Sequence, residues 1–458
     1  MILANAWRRE DIAVCLGLAV CLVIYYVGTP VWIWAPAAFV FVALAWWRLD
    51  LALLAVVVTA PFYRFPKAFD ASLFGLAQRG EPLRFSLAEF AVLGCGLAWL
   101  VRHLWRSAKE PPSTTLTWRH LLSPPLAFLV AATLTLPFSQ YLTFSFRAYR
   151  TIVLEPLLFY FLLRQTVDDG AAVRRTLDAV LALGLGVGLF ALGHYLFVGV
   201  TEATGGVRRV LAIYHSPNAL ALLVGRLIPI AIALVAAAGA WRRALAATAA
   251  LATGATLFLT YSRGAWLAVA GSIVALGWLR GGRARWLAVA ATGAALLLAA
   301  MLLPSERLRS ETTVQQRLYI WQSSWQMLVD HPLVGVGLDN FLYYYPRYML
   351  PQAHDEPNMS HPHNLILDFW LSTGILGLIA FAWLQVTFWR RSRHALGLGA
   401  EAGLLAAGLA ASMAEMLLHG LIDNSFFLID LAFFFWLTYG LMAAVVAVPA
   451  ARAGTEGR

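Results

Sequence analysis

Three short stretches of this chain join a cation or a base to a signal for the start of a helix. In Gly205 to Asn218, Arg208 and Arg209 precede Tyr214-His215-Ser216-Pro217-Asn218. Ser216 suits an N-cap and Pro217 the first helical position, so a helix is predicted to begin there. Its unpaired N–H groups and positive dipole end, with two arginines just upstream, make an anion site, and phosphate is the natural anion. In Thr260-Tyr261-Ser262-Arg263-Gly264 a guanidinium interrupts two apolar runs. An arginine at such a boundary can also simply snorkel. In Ser360-His361-Pro362-His363-Asn364 a proline again lies near the first turn of a long apolar helix. His363 at that positive end is expected to be neutral near pH 7 and able to accept a proton. Standing alone, it reads as an interfacial histidine bonded to its own cap. Together, two arginine sites and a neutral imidazole suit attack by a hydroxyl on a carbon whose leaving group is a phosphate or diphosphate. No metal is demanded, and Asp330, Asp339, Asp355 and Glu356 match no ligand spacing. Neither a metal nor a cofactor is expected.

The elements that must position these groups follow from composition. Of 458 residues, 60% are hydrophobic and 13% charged, against roughly 45–50% and about 25% in ordinary soluble domains. That excludes a soluble enzyme. Continuous apolar runs exclude an outer-membrane barrel, whose strands alternate, and helices must therefore do the spanning. The fold class is all-α, a polytopic transmembrane helical bundle in a lipid bilayer. Cys15, Cys21 and Cys95 all lie inside apolar runs and are read as packing residues. The net charge of +10 punctuates the apolar runs rather than marking one soluble face. It reports topology, and no nucleic-acid partner is implied.

Reading roughly 20 residues per span gives 12 to 14 spans. Residues 1–303 form a transmembrane bundle containing the stretches at 205–218 and 261–264. Residues 304–361 form one long extracytoplasmic loop, 362–448 the C-terminal transmembrane helices, and 449–458 a cytoplasmic tail. The Lys and Arg distribution sets the N-terminus inside, which brings all three chemical stretches to the outer face. Within the long loop, Val314, Leu318, Trp321, Trp325 and Leu328 fall on one face of an amphipathic helix. Such a helix lies on the membrane surface or roofs the bundle. Glu415, His419 and Asp423 follow at i, i+4 and would share a helix face, with Arg226 inside another span. A buried polar network is the preferred reading, and a transporter's proton relay is the competing one.

These motifs, in order, resemble those of the O-antigen ligase and polymerase superfamily, membrane glycosyltransferases of the GT-C type. Arg209 followed at nine residues by the Asn of Pro217-Asn218 resembles the family's first site, and Ser262-Arg263-Gly264 its Ser-Arg-Gly turn. Arg317 to Phe341, with Pro332-Leu333-Val334-Gly335-Val336-Gly337, resembles its loop segment. His363-Asn364 with Gly374-Ile375-Leu376-Gly377 resembles its His-Asn pair and downstream helix. One departure is Ala212, where the family often has Gly. The resemblance implies inverting, metal-independent transfer of a glycan from an undecaprenyl-diphosphate donor to an acceptor hydroxyl, on lipid A-core or a similar glycan or lipid. It would take place on the outer, periplasmic face of a bacterial inner membrane. Carried over by position, Arg209 and Arg263 would bind the diphosphate and His363 would activate the acceptor. Arg208, Asn218, Arg317 and Asn364 would support them. A polysaccharide polymerase of the same superfamily, or a transporter or flippase of lipid-linked sugars, are the alternatives.

Overall fold

The computed structural model describes residues 7–69, 83–107, 123–198, 202–204, 207–237, 239–302, 312–353 and 358–456. Asp355 and Glu356, two of the loop acids considered above, lie outside them, as does the C-terminal Arg458. The all-α expectation holds. Described helices are α1 (Arg9–Val27), α2 (Val31–Trp47), α3 (Leu49–Thr59), α4 (Leu87–Ser107), α5 (Pro124–Thr135), α6 (Leu142–Ala148), α7 (Glu155–Thr166) and α8 (Gly170–Gly193). The second half contributes α9 (Pro217–Ala237), α10 (Ala240–Leu259), α11 (Arg263–Arg280) and α12 (Gly282–Leu302). After these come α13 (Thr312–Asp330), α14 (Phe341–Tyr348), α15 (Leu365–Leu396), α16 (Ala400–Gly420) and α17 (Ile429–Glu456). Two small antiparallel strand pairs were not foreseen: β1 (Lys67–Phe69) with β2 (Leu83–Phe85), and β3 (Glu202–Thr204) with β4 (Val207–Arg209). The second pair matters because it delivers Arg209, opposite Glu202.

By length and composition, seven described helices can cross a membrane. Others that the sequence reading counted among its 12 to 14 spans are helical but short. Helix α2 has 17 residues and α3 has 11. Helix α10 is long, but Arg242 and Arg243 near its start, with glycine and threonine further along, lower its hydropathy. Helix α17 runs on to Glu456, through most of the stretch expected as a tail.

Burial identifies the centre of the bundle. The spans of α9 and α16 are each 83% buried and that of α17 is 89%, whereas α1 is only 33% buried and faces the surroundings. Helix α9 packs between α10 and α16, α11 packs on α16, and α15 packs on α5. Trp436, Phe433, Phe435 and Phe426 are fully enclosed where α17 meets this core. In a bilayer such enclosure stabilises through close packing rather than by removing apolar surface from water. The far end of the bundle from the site is tied by charge. There Arg48 bridges Asp11 at 2.5 Å and Asp50 at 3.0 Å, Arg175 reaches Asp50 at 2.8 Å, and Arg242 meets Asp178 at 2.9 Å.

The loop motif Pro332 to Gly337 is a docking element for α15. Val336 and Gly337 both donate to the Leu371 carbonyl, at 2.7 and 3.0 Å, and Ile375 donates back to Leu333 at 3.0 Å. Those bonds become possible because Gly374 breaks α15 with φ 68° and ψ −179°, exposing backbone groups that a regular helix would consume. Gly335 is equally constrained, at φ 67°, and a Cβ there would overlap the Leu371 carbonyl. Gly335→Ala is therefore expected to lower the stability of the purified protein by about 1–3 kcal/mol. Gly293→Ala, in an open helical position, should cost nothing. Thermal unfolding in detergent compares them, and equal melting would refute the docking role.

Candidate active site

The three stretches singled out by their chemistry meet at one end of the bundle, around the turn between α16 and α17. Helix α16 stops at Gly420, and Asp423-Asn424-Ser425 form the turn. The expectation that Asp423 shares a helix face with Glu415 and His419 is thus corrected. Glu415 and His419 do pair within α16, with His419 Nδ1 at 3.0 Å from Glu415 Oε1. Asp423 instead turns away to the histidines of the third stretch. Its Oδ1 lies 2.9 Å from His363 Nδ1 and 3.5 Å from His361 Nε2, and accepts from the Asn424 N–H at 2.8 Å. Its Oδ2 is buried without a hydrogen-bond partner, 3.8 Å from Arg317 Nη2.

The second and third stretches touch this turn, and the first meets the start of α17 just beyond it. Asn364, the N-cap of α15, accepts from Ile366 and Leu367 at 3.0 and 3.1 Å and donates to the Leu421 carbonyl at 3.1 Å. The helix thus begins at Leu365, three positions after Pro362, with Asn364 as its cap. A Cβ on Gly264 would collide with Ile422, so the Ser-Arg-Gly turn sits directly against the residue preceding Asp423. From the first stretch, Tyr214 donates to Asp430 at 2.6 Å. Ser216 caps α9 as expected, accepting from Ala219 at 3.2 Å. Beneath it, Arg226 donates to the Leu431 carbonyl at 3.0 Å and to the Ser425 carbonyl, and its Nε lies 4.0 Å from Glu415. The polar network expected around Arg226 is present, and it holds the turn from below.

Arg209 is 8% exposed. Its Nε donates to the Thr260 carbonyl at 2.8 Å and its Nη2 to Asn218 Oδ1 at 2.9 Å, so it fastens the first stretch to the second. The nine-residue spacing between Arg209 and Asn218 is the distance needed for that bond. Arg263 is half-buried in the first turn of α11. Arg208 points away, its guanidinium 5.3 Å above the Tyr195 ring. Two participants were missed. Arg64 donates to the Ile213 carbonyl at 3.4 Å and influences His215. The His361 ring lies 4.2 Å from that of His363, tilted by 56°. For Asp423 the missed signal was Gly420, a helix stop, followed by Asp-Asn-Ser turn chemistry.

Electrostatics separate the roles. Burial alone would push the Asp423 carboxyl up, but the His363 and His361 rings against it outweigh burial and hold it well below its usual range. His361 is shifted down by burial and by its neighbour His363. His215 is shifted down by burial, then by Arg64 and His361. An ionised carboxylate only accepts, so the proton between Asp423 and His363 sits on Nδ1. In the neutral ring Nε2 then carries the lone pair, as in other carboxylate-oriented bases. His361, His363 and Asp423 also bring three ligand atoms within 4.8 Å of one another, and would be the residues to hold a divalent ion. The Arg317 guanidinium, 3.8 Å from Asp423, opposes a second positive charge there.

Strain concentrates here. Among described non-glycine residues, four have positive φ, and three of them, Ala212 (49°), Tyr261 (50°) and His363 (50°), belong to the three stretches. This is the conformation that non-glycine residues resist, and it clusters where function over-determines the backbone.

The fold and these contacts together make a helical membrane bundle with a carboxylate-held histidine beside an arginine-bearing turn. Residues 247–382 match the O-antigen ligase family, and over that stretch the chain is similar to this family of glycosyltransferase-like membrane enzymes. The matched region contains Arg263, Arg317 and His363, while Arg209, Asn218 and Asp423 join from outside it. Comparison with curated proteins gives no match.

The left-handed Ala212 generates a direct test. Ala212→Gly should stabilise the protein by up to about 1 kcal/mol, because glycine adopts this φ without steric penalty. The readout is the thermal melt in detergent. A lower melting temperature would mean that the Ala212 methyl group packs more usefully than its backbone is strained.

Proposed function

We propose that this protein is an O-antigen ligase-like glycosyltransferase that moves a glycan from an undecaprenyl-diphosphate donor to an acceptor hydroxyl, on the periplasmic face of a bacterial inner membrane. The observation that carries the reading is the 2.9 Å bond between His363 Nδ1 and Asp423, which orients the imidazole with Nε2 as acceptor beside the arginine-bearing turn. His363 takes the proton of the acceptor hydroxyl as its oxygen attacks the anomeric carbon. The bond from that carbon to the diphosphate oxygen breaks, and the polyprenyl diphosphate leaves with the electron pair. Attack opposite the leaving group inverts the anomeric centre. Arg263 meets the developing negative charge from the half-buried start of α11. Arg209, fastened to Asn218 and Thr260, holds that turn and adds positive field from behind. Arg317 keeps Asp423 charged from its other oxygen.

The test is transfer by purified protein with lipid-linked glycan and acceptor, in EDTA. His363→Ala and Asp423→Asn should each lose about 10²–10⁴-fold in kcat, with the histidine variant still melting cooperatively, at a lower temperature because the buried Asp423 has lost a partner. Undiminished transfer by His363→Ala would remove the histidine from the mechanism. Mass analysis of the product separates ligation to a lipid core from extension of a second lipid-linked glycan.

Replacement of Arg209 or Arg263 by Lys keeps the charge but loses the planar fork. Each is expected to cost at least about ten-fold in kcat/KM, roughly 1.4 kcal/mol of lost stabilisation. Wild-type kinetics in both lysine variants would reduce the arginines to a source of field.

A further inference from the structure

Helix α13 buries one face and leaves a second, aromatic one open. Ile320, Ser323, Ser324, Met327 and Leu328 are buried as α13 packs on α14 and α15. Of the stripe that periodicity picked out, Leu328 joins that buried face, but Leu318 is 47% exposed and Trp325 56% exposed. One apolar face is enough to dock a helix, so this second stripe is surplus to folding. It lines a groove of about 500 Å³ formed by Leu318, Trp321, Gln322, Trp325, Gln326 and Leu367.

We infer that this groove binds a sugar ring of the acceptor glycan, the Trp321 and Trp325 indoles lying under its C–H face and the Gln322 and Gln326 amides meeting its hydroxyls; the assignment to the acceptor rests on the glycosyl-transfer reading above. Indoles at i, i+4 and amides at the next i, i+4 make two parallel rows, stepped by about 6 Å along the helix. A row of aromatics supplies rigid apolar area, and an amide supplies both donors and acceptors, which is what a polyhydroxylated ring requires. A stripe serving only to anchor the helix in lipid has no use for amides in the same groove. Trp325 is held in place before any ligand arrives. It stands edge-on to Trp370 at 6.2 Å and 89°, and the Trp370 indole N–H donates to the Pro332 carbonyl at 2.7 Å. Little ordering remains to be done on binding.

Position selects the acceptor. The Trp321 indole N–H donates to the His363 carbonyl at 3.3 Å, so the groove begins one hydrogen bond from the candidate base. One turn earlier on α13, Arg317 reaches Asp423. The arginine turn of the second stretch lies against Ile422 instead, at the start of the Asp423 turn. A hydroxyl delivered from the groove would therefore approach the histidine from the α13 side.

The experiment is saturation-transfer NMR on the full chain in detergent, using glucose, galactose, mannose and N-acetylglucosamine tetrasaccharides as probes, followed by acceptor kinetics. At least one probe should receive transfer at its ring C–H protons, with the signal lost in Trp325→Leu and Gln326→Ala and kept in His363→Ala. Trp325→Leu retains an apolar anchor, so its loss of signal separates sugar binding from membrane anchoring. In turnover the same two variants should raise the acceptor KM about ten-fold while leaving kcat and the donor KM unchanged. No transfer to any probe, or Trp325→Leu binding as wild type, overturns the groove as a sugar site. Sugar binding with no glycosyl product would leave the groove standing and refute the reading of the enzyme.

Discussion

The Asp423 carboxylate is the constraint around which this end of the molecule is arranged. It is 3% exposed, in a chain whose interior offers little to an anion. A buried charge of that kind persists only if it is compensated, and removing its partners would cost several kcal/mol. Compensation comes from groups on three separated parts of the sequence: His361 and His363 ahead of α15, Arg317 on α13, and the Asn424 N–H of its own turn. Meeting that electrostatic demand draws the loop, the α15 start and the α16–α17 turn together. The same contacts orient the imidazole. Stability and chemistry are here one interaction.

The backbone absorbs the geometric cost. His363, Tyr261 and Ala212 all take left-handed conformations that their side chains disfavour. Each is held by something rigid nearby: Asn364 bonded to Leu421, Thr260 bonded to Arg209, and Val210 bonded to the Leu259 carbonyl. The break in α15 at Gly374 belongs to the same scheme, since the exposed Leu371 carbonyl is what the glycine-containing loop grips. Three devices, a capped helix start, a tight turn and a broken helix, converge here, with the small β3–β4 pair bringing Arg209 to them.

Much of this was legible in the sequence because it depended on local chemistry. Ser216-Pro217 announced the start of α9, and apolar runs announced the bundle. Ser262-Arg263-Gly264 and His363-Asn364 announced where polar groups interrupt it. Periodicity then failed in two instructive places. Asp423 stood at i+4 from His419, so a helical template absorbed it, although Gly420 and Asn424-Ser425 argued for a turn; tertiary pairing with His363 could not be read from spacing. On α13, the stripe from Val314 to Leu328 left open whether that side lies on the membrane surface or packs on the bundle; Leu328 is buried with Ile320 and Met327, while Val314, Leu318 and Trp325 stay exposed. An amphipathic pattern specifies that a helix has an apolar side, and only the neighbours α14 and α15 decide which of two candidate sides is covered. Span count was the least legible quantity, because small residues in α10 and the shortness of α3 blur the line between crossing and buried helices.

Arg226 connects this surface chemistry to the hydrocarbon interior. Its guanidinium, set deep in α9, grips the carbonyls of Ser425, in the Asp423 turn, and Leu431, in the first turn of α17, and stands beside Glu415 on α16. Positions sensitive to substitution would then form a column descending from the rim into the lipid depth, rather than a ring about the imidazole. A lesion far below the headgroups could silence catalysis while leaving every substrate contact in place.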